Sequence, residues 1–404
     1  MIKRRPLLGG MLAAGTVALS GARARAATPG VTATEIKIGN TEAYSGPASA
    51  YGMIGKTEAA FFKMVNDQGG VNGRKINFIS YDDGYSPPRT VEQVRKLIEQ
   101  DEVACLFNDL GTPTNTAVEK YVNAKKVPHL FLATGANKWG DYKRYPWTIG
   151  FQPSYRTEAE IYGKHITAAT PKAKVGILYQ NDDFGKDYVN GLKDAFGDKY
   201  DTMVIKAVSY ESTDPTVDSQ LVTLQSAGVD VLVTAAIPKF AAQVIKKLAD
   251  MAWKPQHYLT NVSISVGAVL KPAGLKNAVG IITGAFIKDS TDARWANDPG
   301  MKEWRAFMDK YMPGTDQTDG NTIYGYAAGQ TMLQVLRQCG SDLSRENIMR
   351  QATNIHDFVP ATLLPGVKVA TSPTNYHPIR QMQLAKWNGA HWENFGDVIE
   401  GSGS

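Results

Sequence analysis

The sequence predicts an α/β protein of two doubly wound lobes with a cleft between them. Three observations support this class. Short apolar strands alternate with amphipathic helices, the alternation starts again after Tyr145-Pro146-Trp147, and about 378 residues follow the leader, too many for one compact core. Because alternating strands and helices form parallel sheets, binding residues are expected at the carboxyl edge of each sheet.

The first series opens with an apolar strand and a loop of small residues. The loop reads GNTEAYSGPASAYGMIGK from Gly39 to Lys56. Small residues let a ligand approach backbone N–H groups at a helix start, so this loop is expected to border the ligand. The helix after it ends at Gly69-Gly70. The predicted strands of this series are 36–39, 75–81, 104–108 and 129–132, and the predicted helices are 51–68, 88–100 and 114–125.

The second series repeats this pattern, and the carboxyl-terminal part departs from it. From about Gly284 two amphipathic helices, 295–311 and 322–338, precede a proline-rich stretch, 359–373. The tail then alternates polar and apolar residues, which predicts a hairpin around Asn388-Gly389 with strands 381–387 and 392–395. The predicted strands of the second series are 174–179, 203–209 and 229–234, and the predicted helices are 186–196, 215–227 and 239–251.

The first 26 residues have the pattern of an export signal. Lys3 and the pair Arg4-Arg5 precede an apolar stretch, 7–19, and the small-residue triplet Ala24-Arg25-Ala26 follows. The arginine pair and the glycine-diluted apolar stretch favour twin-arginine export over the general route. Cleavage near Ala26 would release a periplasmic protein. No later apolar run reaches the ~20 residues of a membrane span, and no cysteine offers a lipid anchor after the cleavage site.

Charge and cysteine content narrow the function classes. The chain has 44 basic and 39 acidic residues, but five of the basic ones lie in the leader, which leaves 39 of each sign. This balance lacks the basic surface of a nucleic-acid-binding protein. The two cysteines, Cys105 and Cys339, are interpreted as buried free thiols, with a disulfide as the less favoured alternative.

Patterns typical of enzymes are missing from the sequence. The pair Asp82-Asp83 could act as an acid and a base, but adjacent carboxylates in YDDG are more typical of a turn. The six histidines show no metal-ligand spacing, and neither G-x-S-x-G nor a Walker loop occurs. The sequence therefore predicts a protein that is not an enzyme and needs no cofactor or metal.

Four motifs carry a resemblance to a known family. They read SGPASAYG, DQGGVNGRKINFISYDDGYSP, VRKLIEQDEVACLFNDLGTPTNTAV and GILYQNDDFGKDYVNGL. In this order and spacing they resemble the periplasmic substrate-binding proteins of branched-chain amino-acid ABC importers, over nearly the whole mature chain. The resemblance implies a type I periplasmic binding fold of two Rossmann-like lobes. It implies further that the protein is a monomer and delivers its ligand to an inner-membrane ABC permease. It also implies three hinge crossings, with lobe one at 27–150 and 285–365 and lobe two at 151–284 and 366–404.

The resemblance also implies how one end of a ligand is held. In amino-acid binders of this family a hydroxyl residue and backbone amides of the next loop hold the ligand carboxylate, and those positions fall on Thr112 and on the turn of Thr134, Gly135 and Ala136. Such donors suit a buried anion. The alternative for Thr112 is an N-cap of the helix predicted at 114–125.

The lobe-two positions depart from the family pattern. Where amino-acid binders use a tyrosine and a carboxylate for the ligand ammonium, this chain has Ile237 and Asn261, and no Asp or Glu occurs in 255–273. A buried ammonium without an anionic partner is costly, so this wall is expected to prefer a ligand without an amino group.

Aromatic residues suggest what fills that space. Tyr51 lies in the first loop, Phe184 stands where the family places a pocket aromatic, and Phe286 lies near a crossing. Aromatic walls with a few fixed donors describe a site for a flat aromatic acid. Tyr44 is a further candidate, and the weaker ones are Trp147, Tyr155 and Tyr324. The family's disulfide positions fall on Tyr85 and Gly111, so that bridge is absent.

These observations predict a periplasmic solute-binding protein for a small aromatic carboxylate of the benzoate, hydroxybenzoate or hydroxycinnamate type. Alternatives are a binder of branched-chain or other amino acids or amides, and a ligand-sensing receptor component. A secreted hydrolase ranks third, because no catalytic pattern supports it.

Overall fold

The computed structural model describes residues 2 and 28–401, and its strands form two separate sheets. Apart from residue 2, the predicted leader lies outside the described residues. In chain order the strands are β1 (Glu35–Glu42), β2 (Lys75–Asp82), β3 (Cys105–Phe107), β4 (His129–Leu132), β5 (Thr148–Gly150), β6 (Val175–Gln180), β7 (Val204–Tyr210), β8 (Val231–Ala235), β9 (Gln256–Leu259), β10 (Ile282–Ala285), β11 (Gln381–Trp387) and β12 (Trp392–Glu400). The helices are α1 (Gly52–Asp67), α2 (Pro87–Glu99), α3 (Thr112–Ala124), α4 (Tyr155–Ala169), α5 (Asp183–Phe196), α6 (Tyr200–Met203), α7 (Asp218–Ser226), α8 (Pro238–Asp250), α9 (Lys271–Ala273), α10 (Pro299–Tyr311), α11 (Gly320–Gln338) and α12 (Arg345–Ala352).

The first sheet is parallel throughout and has the strand order β2-β1-β3-β4-β5. Ile38 in β1 lies opposite Phe78 in β2 and Cys105 in β3. Helix α1 packs against α10 and α11, and α11 also contacts β4 and α12. We call this sheet with α1–α3 and α10–α12 the first lobe.

The second sheet has the order β12-β11-β10-β9-β8-β6-β7. Strands β6 to β10 are parallel, whereas β11 runs antiparallel to both β10 and β12. The predicted tail hairpin is therefore confirmed, and its second strand extends to Glu400. We call this sheet with α4–α9 the second lobe.

The chain crosses between the lobes after β5, after β10 and before β11. Parallel strands end at one edge of each sheet, so the loops after them meet between the lobes. The residue boundaries expected for the two lobes remain a prediction. Within residues 28–401, no helix is long and apolar enough to cross a membrane.

Several helix boundaries differ from the sequence prediction for local reasons. Helix α5 begins three residues earlier, because the Asp182 carboxylate accepts the Gly185 N–H at 3.2 Å and caps the helix before Phe184. Helix α3 begins at Thr112 and not at Thr114, with Pro113 in its first turn. Helix α10 begins at Pro299, four residues late, behind the Asp298 cap.

Seven of these elements were not predicted, namely β5, α4, α6, β9, α9, β10 and α12. Helix α4 shows why, since it buries Thr157 and Glu158 beside Tyr155 and Ala159, so that polar residues interrupt its apolar face. The cysteines agree with the favoured interpretation, because Cys105 and Cys339 are both buried and unbridged.

Candidate functional site

A cavity of about 70 Å³ lies between the lobes at the carboxyl ends of the parallel strands. Tyr51 reaches it from the loop after β1, Thr112 from the start of α3, and Phe184 from the first turn of α5. The lining residues are Tyr51, Ile54, Tyr85, Leu110, Gly111, Thr112, Ala133, Gln152, Tyr155, Phe184, Ile237, Asn261, Val262, Ile264, Ser265, Phe286, Ile287, Gly320, Asn321 and Tyr324.

Most of the site residues predicted from the sequence meet at this cavity. The six that line it are Tyr51, Thr112, Phe184, Ile237, Asn261 and Phe286. The other three, Thr134, Gly135 and Ala136, do not line it, although their neighbour Ala133 does. The roles of all nine in binding remain a prediction.

Thr112 presents a hydroxyl at the start of α3. It is the first helical residue, Gly111 precedes it with φ 96°, and no side-chain capping bond forms. The N-cap alternative for Thr112 is therefore wrong. The Thr112 Oγ1 lies 2.6 Å from the Thr134 Oγ1, which also accepts the Ala136 N–H at 3.2 Å. Two hydroxyls that share one hydrogen bond leave one proton to donate to a ligand.

Tyr155 adds a second hydroxyl to this end of the cavity. Its hydroxyl accepts a hydrogen bond from Gln152 Nε2 at 3.0 Å and lies beside the Thr134 hydroxyl and the Gly135 backbone. Burial raises the pKa of Tyr155 further above its usual range, so the hydroxyl keeps its proton. Thr112 and Tyr155 thus form a donor end without any cationic side chain.

Aromatic rings form much of the remaining wall. The Phe184 ring lies 4.6 Å from that of Tyr155, and the Phe286 ring lies 6.5 Å from that of Tyr324, both measured between centroids. Tyr155 and Tyr324 are thus lining residues. Tyr44 is not, because its hydroxyl contacts the Ser80 hydroxyl at 2.6 Å.

The first loop contributes less than the sequence suggested. The backbone N–H groups of Tyr44 and Ser45 donate to the Asp82 carboxylate at 3.0 and 3.1 Å, so they are not available to a ligand. Of this loop only Tyr51 and Ile54 line the cavity, and the small residues from Ser45 to Ala50 do not. The Asp82 carboxylate therefore stabilises the turn, as its YDDG context indicates.

Tyr85 was missed as a lining residue. A side-chain carbon added at Gly111 would lie 2.5 Å from the Tyr85 ring, so the two positions are neighbours and the glycine makes room for the ring. The Tyr85 hydroxyl accepts a hydrogen bond from Gln180 Nε2, across the cleft in β6, at 3.2 Å. The sequence signal that could have identified Tyr85 was its position, since it stands where the family has one cysteine of its disulfide.

The second-lobe wall contains a buried acid that the sequence argument missed. Glu158 in α4 is fully buried and accepts the Asn261 backbone N–H at 2.8 Å and the Tyr188 hydroxyl at 2.6 Å. It also contacts Asn261 Nδ2 and the Tyr162 hydroxyl. The observation that 255–273 lacks acidic residues is correct, but the acid comes from 103 residues away. Glu158 lies behind Asn261 and does not line the cavity.

The cavity lining carries no Asp, Glu, Lys, Arg or His among the described residues. Nor does this part of the chain bring together three or more His, Cys, Asp or Glu side chains as a metal site. The lining can therefore pack an apolar ligand body and hydrogen-bond its polar ends.

Two carboxyls with raised pKa values, the buried Glu158 and the half-buried Asp187, predict how stability changes with pH. Burial raises the pKa of Glu158 and of Asp187, each to about 7. A raised carboxyl pKa stabilises the fold below the unfolded-state value, and this stability is lost as pH rises through the folded value. Burial lowers the pKa of His257 to about 3 and that of His377 to about 4, which acts in the opposite direction below about pH 6.5. We therefore expect the melting temperature of the ligand-free protein to fall between about pH 6.5 and pH 8.

Asp187→Asn removes one of these titrations and should make the fall shallower in scanning calorimetry. The exposed Asp198 is a suitable control, and Asp198→Asn should leave the slope unchanged. An equally steep fall in Asp187→Asn would contradict the assignment.

Comparisons with known proteins agree with this architecture. Residues 35–391 match a family described as periplasmic binding protein. Leu/Ile/Val-binding protein homolog 1 of Brucella abortus (strain 2308) is 24% identical over 349 residues, which cover 85% of this chain and 86% of that protein.

Two solved structures are similar along almost their full length. One is a branched chain amino acid ABC transporter structure from Thermus thermophilus with bound valine, with a TM-score of 0.83 at 15% identity, covering 92% of this chain and 97% of that one. The other is a solute binding protein from R. palustris in complex with 4-hydroxybenzoate, with a TM-score of 0.75 at 17% identity, covering 91% and 97%. At these identities the two structures establish the fold alone.

Proposed function

The chain belongs to the periplasmic binding protein family, and we propose that it captures a small aromatic carboxylate of the benzoate, hydroxybenzoate or hydroxycinnamate type and delivers it to an ABC permease. One observation carries this proposal. The cavity is lined by six aromatic side chains and by no charged one among the described residues. An α-amino acid brings an ammonium that finds no carboxylate in this lining, whereas an aromatic acid brings only a ring to the same wall.

The ligand carboxylate fits the donor end of the cavity. The N-terminus of α3 offers hydrogen bonds there, and so does the one proton that remains when the hydroxyls of Thr112, Thr134 and Tyr155 bond to one another. Hydrogen bonds to a charged group contribute more than neutral ones, about 1.5 to 3 kcal/mol each. This end therefore supports an anion without a lysine or arginine.

A second candidate ligand is a small aliphatic amino acid or amide, and the size of the cavity favours it. A cavity of about 150 Å³ is known to hold benzene. The free space here is about 70 Å³, so a ring requires the walls or the lobes to move apart. Hinge motion between the lobes is common in binding proteins of this fold and could provide the space that a ring needs. An aromatic acid therefore remains the first candidate ligand.

Calorimetry on the mature protein tests the proposal. We expect 4-hydroxybenzoate or a hydroxycinnamate to bind at micromolar Kd or tighter, roughly −8 kcal/mol, and leucine to bind about a hundred-fold more weakly. A thermal-shift screen gives an independent readout, since a ligand at 100 times its Kd stabilises by about 2.7 kcal/mol. Tight binding of leucine or valine, with no binding of any aromatic acid, would refute the aromatic assignment.

A further inference from the structure

We propose that Glu158 holds the Asn261 amide with its oxygen toward the cavity, so that the site selects aromatic carboxylates carrying a hydrogen-bond donor, such as a hydroxyl group, at the end of the ring opposite the carboxylate. This inference rests on the proposed function. It names a polar specificity at the second-lobe wall of the cavity.

The orientation of Asn261 follows from what surrounds Glu158. The carboxylate receives the Asn261 backbone N–H at 2.8 Å and the Tyr188 hydroxyl at 2.6 Å. The Asn261 side-chain amide faces the same carboxylate. An ionised carboxylate only accepts hydrogen bonds, so the amide atom facing it is the Nδ2 donor and not the oxygen.

The remaining polar atom of Asn261 is then an acceptor. Oδ1 and Nδ2 diverge from one carbon, and Nδ2 points behind the wall to Glu158. Asn261 lines the cavity and is 8% exposed, which leaves Oδ1 as its polar atom for a ligand. Glu158 is fully buried and does not touch the cavity itself, so it acts as a positioning residue.

The two ends of the cavity therefore have opposite hydrogen-bonding character. Thr112 and Tyr155 offer donors at the start of α3, whereas Asn261 offers an acceptor in the second lobe. A ligand with a carboxylate at one end and a hydroxyl at the other satisfies both. A ring without a donor covers the Asn261 oxygen and leaves it unpaired, which is the arrangement that excludes analogues most strongly.

Three probes of the wild-type protein test this selection without any mutation. Benzoate lacks a second substituent, 4-methylbenzoate has a group of hydroxyl size that cannot donate, and 4-hydroxybenzoate has the donor. We expect 4-hydroxybenzoate to bind about ten- to a hundred-fold more tightly than 4-methylbenzoate. Because burial raises the pKa of Glu158 to about 7, the titrations are made near pH 8, where its carboxylate is ionised.

Variants then identify the acceptor. Asn261→Leu should reduce the preference for the hydroxyl to less than about three-fold while benzoate still binds. Glu158→Gln should also shrink this ratio, because the amide is then no longer forced into one orientation, and a ratio is insensitive to a general loss of affinity. In the matched variant Asn181→Leu the preference should survive, because Asn181, whose Nδ2 donates to the Glu211 carboxylate at 2.6 Å, does not line the cavity.

The outcomes separate the two proposals. If no aromatic acid binds, the proposed function fails. If aromatic acids bind but 4-hydroxybenzoate and 4-methylbenzoate bind equally, only the acceptor inference fails. Survival of the preference in Asn261→Leu, or its loss in Asn181→Leu, would likewise overturn the assignment. Should either second-lobe variant not fold by circular dichroism, the wild-type comparison still decides.

Discussion

Thr112→Val is expected to weaken binding of a carboxylate ligand by about ten- to a hundred-fold. The change keeps the shape of the side chain but removes the hydroxyl that pairs with Thr134 Oγ1 at 2.6 Å, and with it one donor to the anion. Thr112 is only 2% exposed, so water does not replace the lost bond. Isothermal titration with the tightest ligand of the screen measures the effect.

Thr57→Val is a matched control for this change. Thr57 is buried in α1, its hydroxyl donates to the Met53 carbonyl at 2.7 Å, and it does not line the cavity. Its substitution should leave the affinity unchanged. If Thr112→Val also binds like the wild type, the hydroxyl has no part in holding the ligand.

Phe61→Ala is expected to destabilise the protein by about 3 to 5 kcal/mol, the usual cost of truncating a buried phenylalanine. The Phe61 ring packs edge-on against Tyr326 at 5.3 Å and against Phe62 at 5.8 Å between centroids. Gly329 of α11 approaches the same ring, and Phe61 is 2% exposed, so the cavity left behind cannot be filled by a local shift. Chemical denaturation followed by circular dichroism measures the loss.

Lys63→Ala in the same helix provides the control. Its side chain is 65% exposed and forms a surface ion pair with Asp67, and its Nζ lies 5.5 Å from the centroid of the Tyr311 ring. Such exposed contacts contribute little, so we expect a change below about 1 kcal/mol. A loss under about 1 kcal/mol in Phe61→Ala would mean that α1 and α11 repack around the gap. Because Phe61 does not line the ligand cavity, the folded variant should keep its affinity.

Local patterns were sufficient for most of the architecture. Alternation of strands and helices predicted both lobes, and the tail alternation around Asn388-Gly389 predicted the β11–β12 hairpin. The prediction failed where burial on several sides removes periodicity. Helix α4 is the main example, since Glu158 interrupts its apolar face and is made tolerable only by donors from other elements.

The candidate site was predictable where it follows strand ends. Ile237 and Asn261 lie directly after β8 and β9, and the carboxyl edge of a parallel sheet is where a ligand is expected. Gln152 was missed because nothing in its local sequence distinguishes a cavity-lining side chain from one that packs within a lobe, and Tyr85 was considered only as a position of the family's disulfide. Their place becomes clear only when the lobes face each other.

The sequence alone determined the fold class and the resemblance to periplasmic binding proteins, because both depend on patterns that are local along the chain. It also pointed to six of the residues that line the cavity. Only the tertiary structure decided the chemistry of the second-lobe wall. There Glu158 meets Asn261 from 103 residues away and turns an apparently uncharged segment into an oriented acceptor. Spacing along the chain cannot reveal such a pair, because the contact depends on how α4 packs against the carboxyl end of β9.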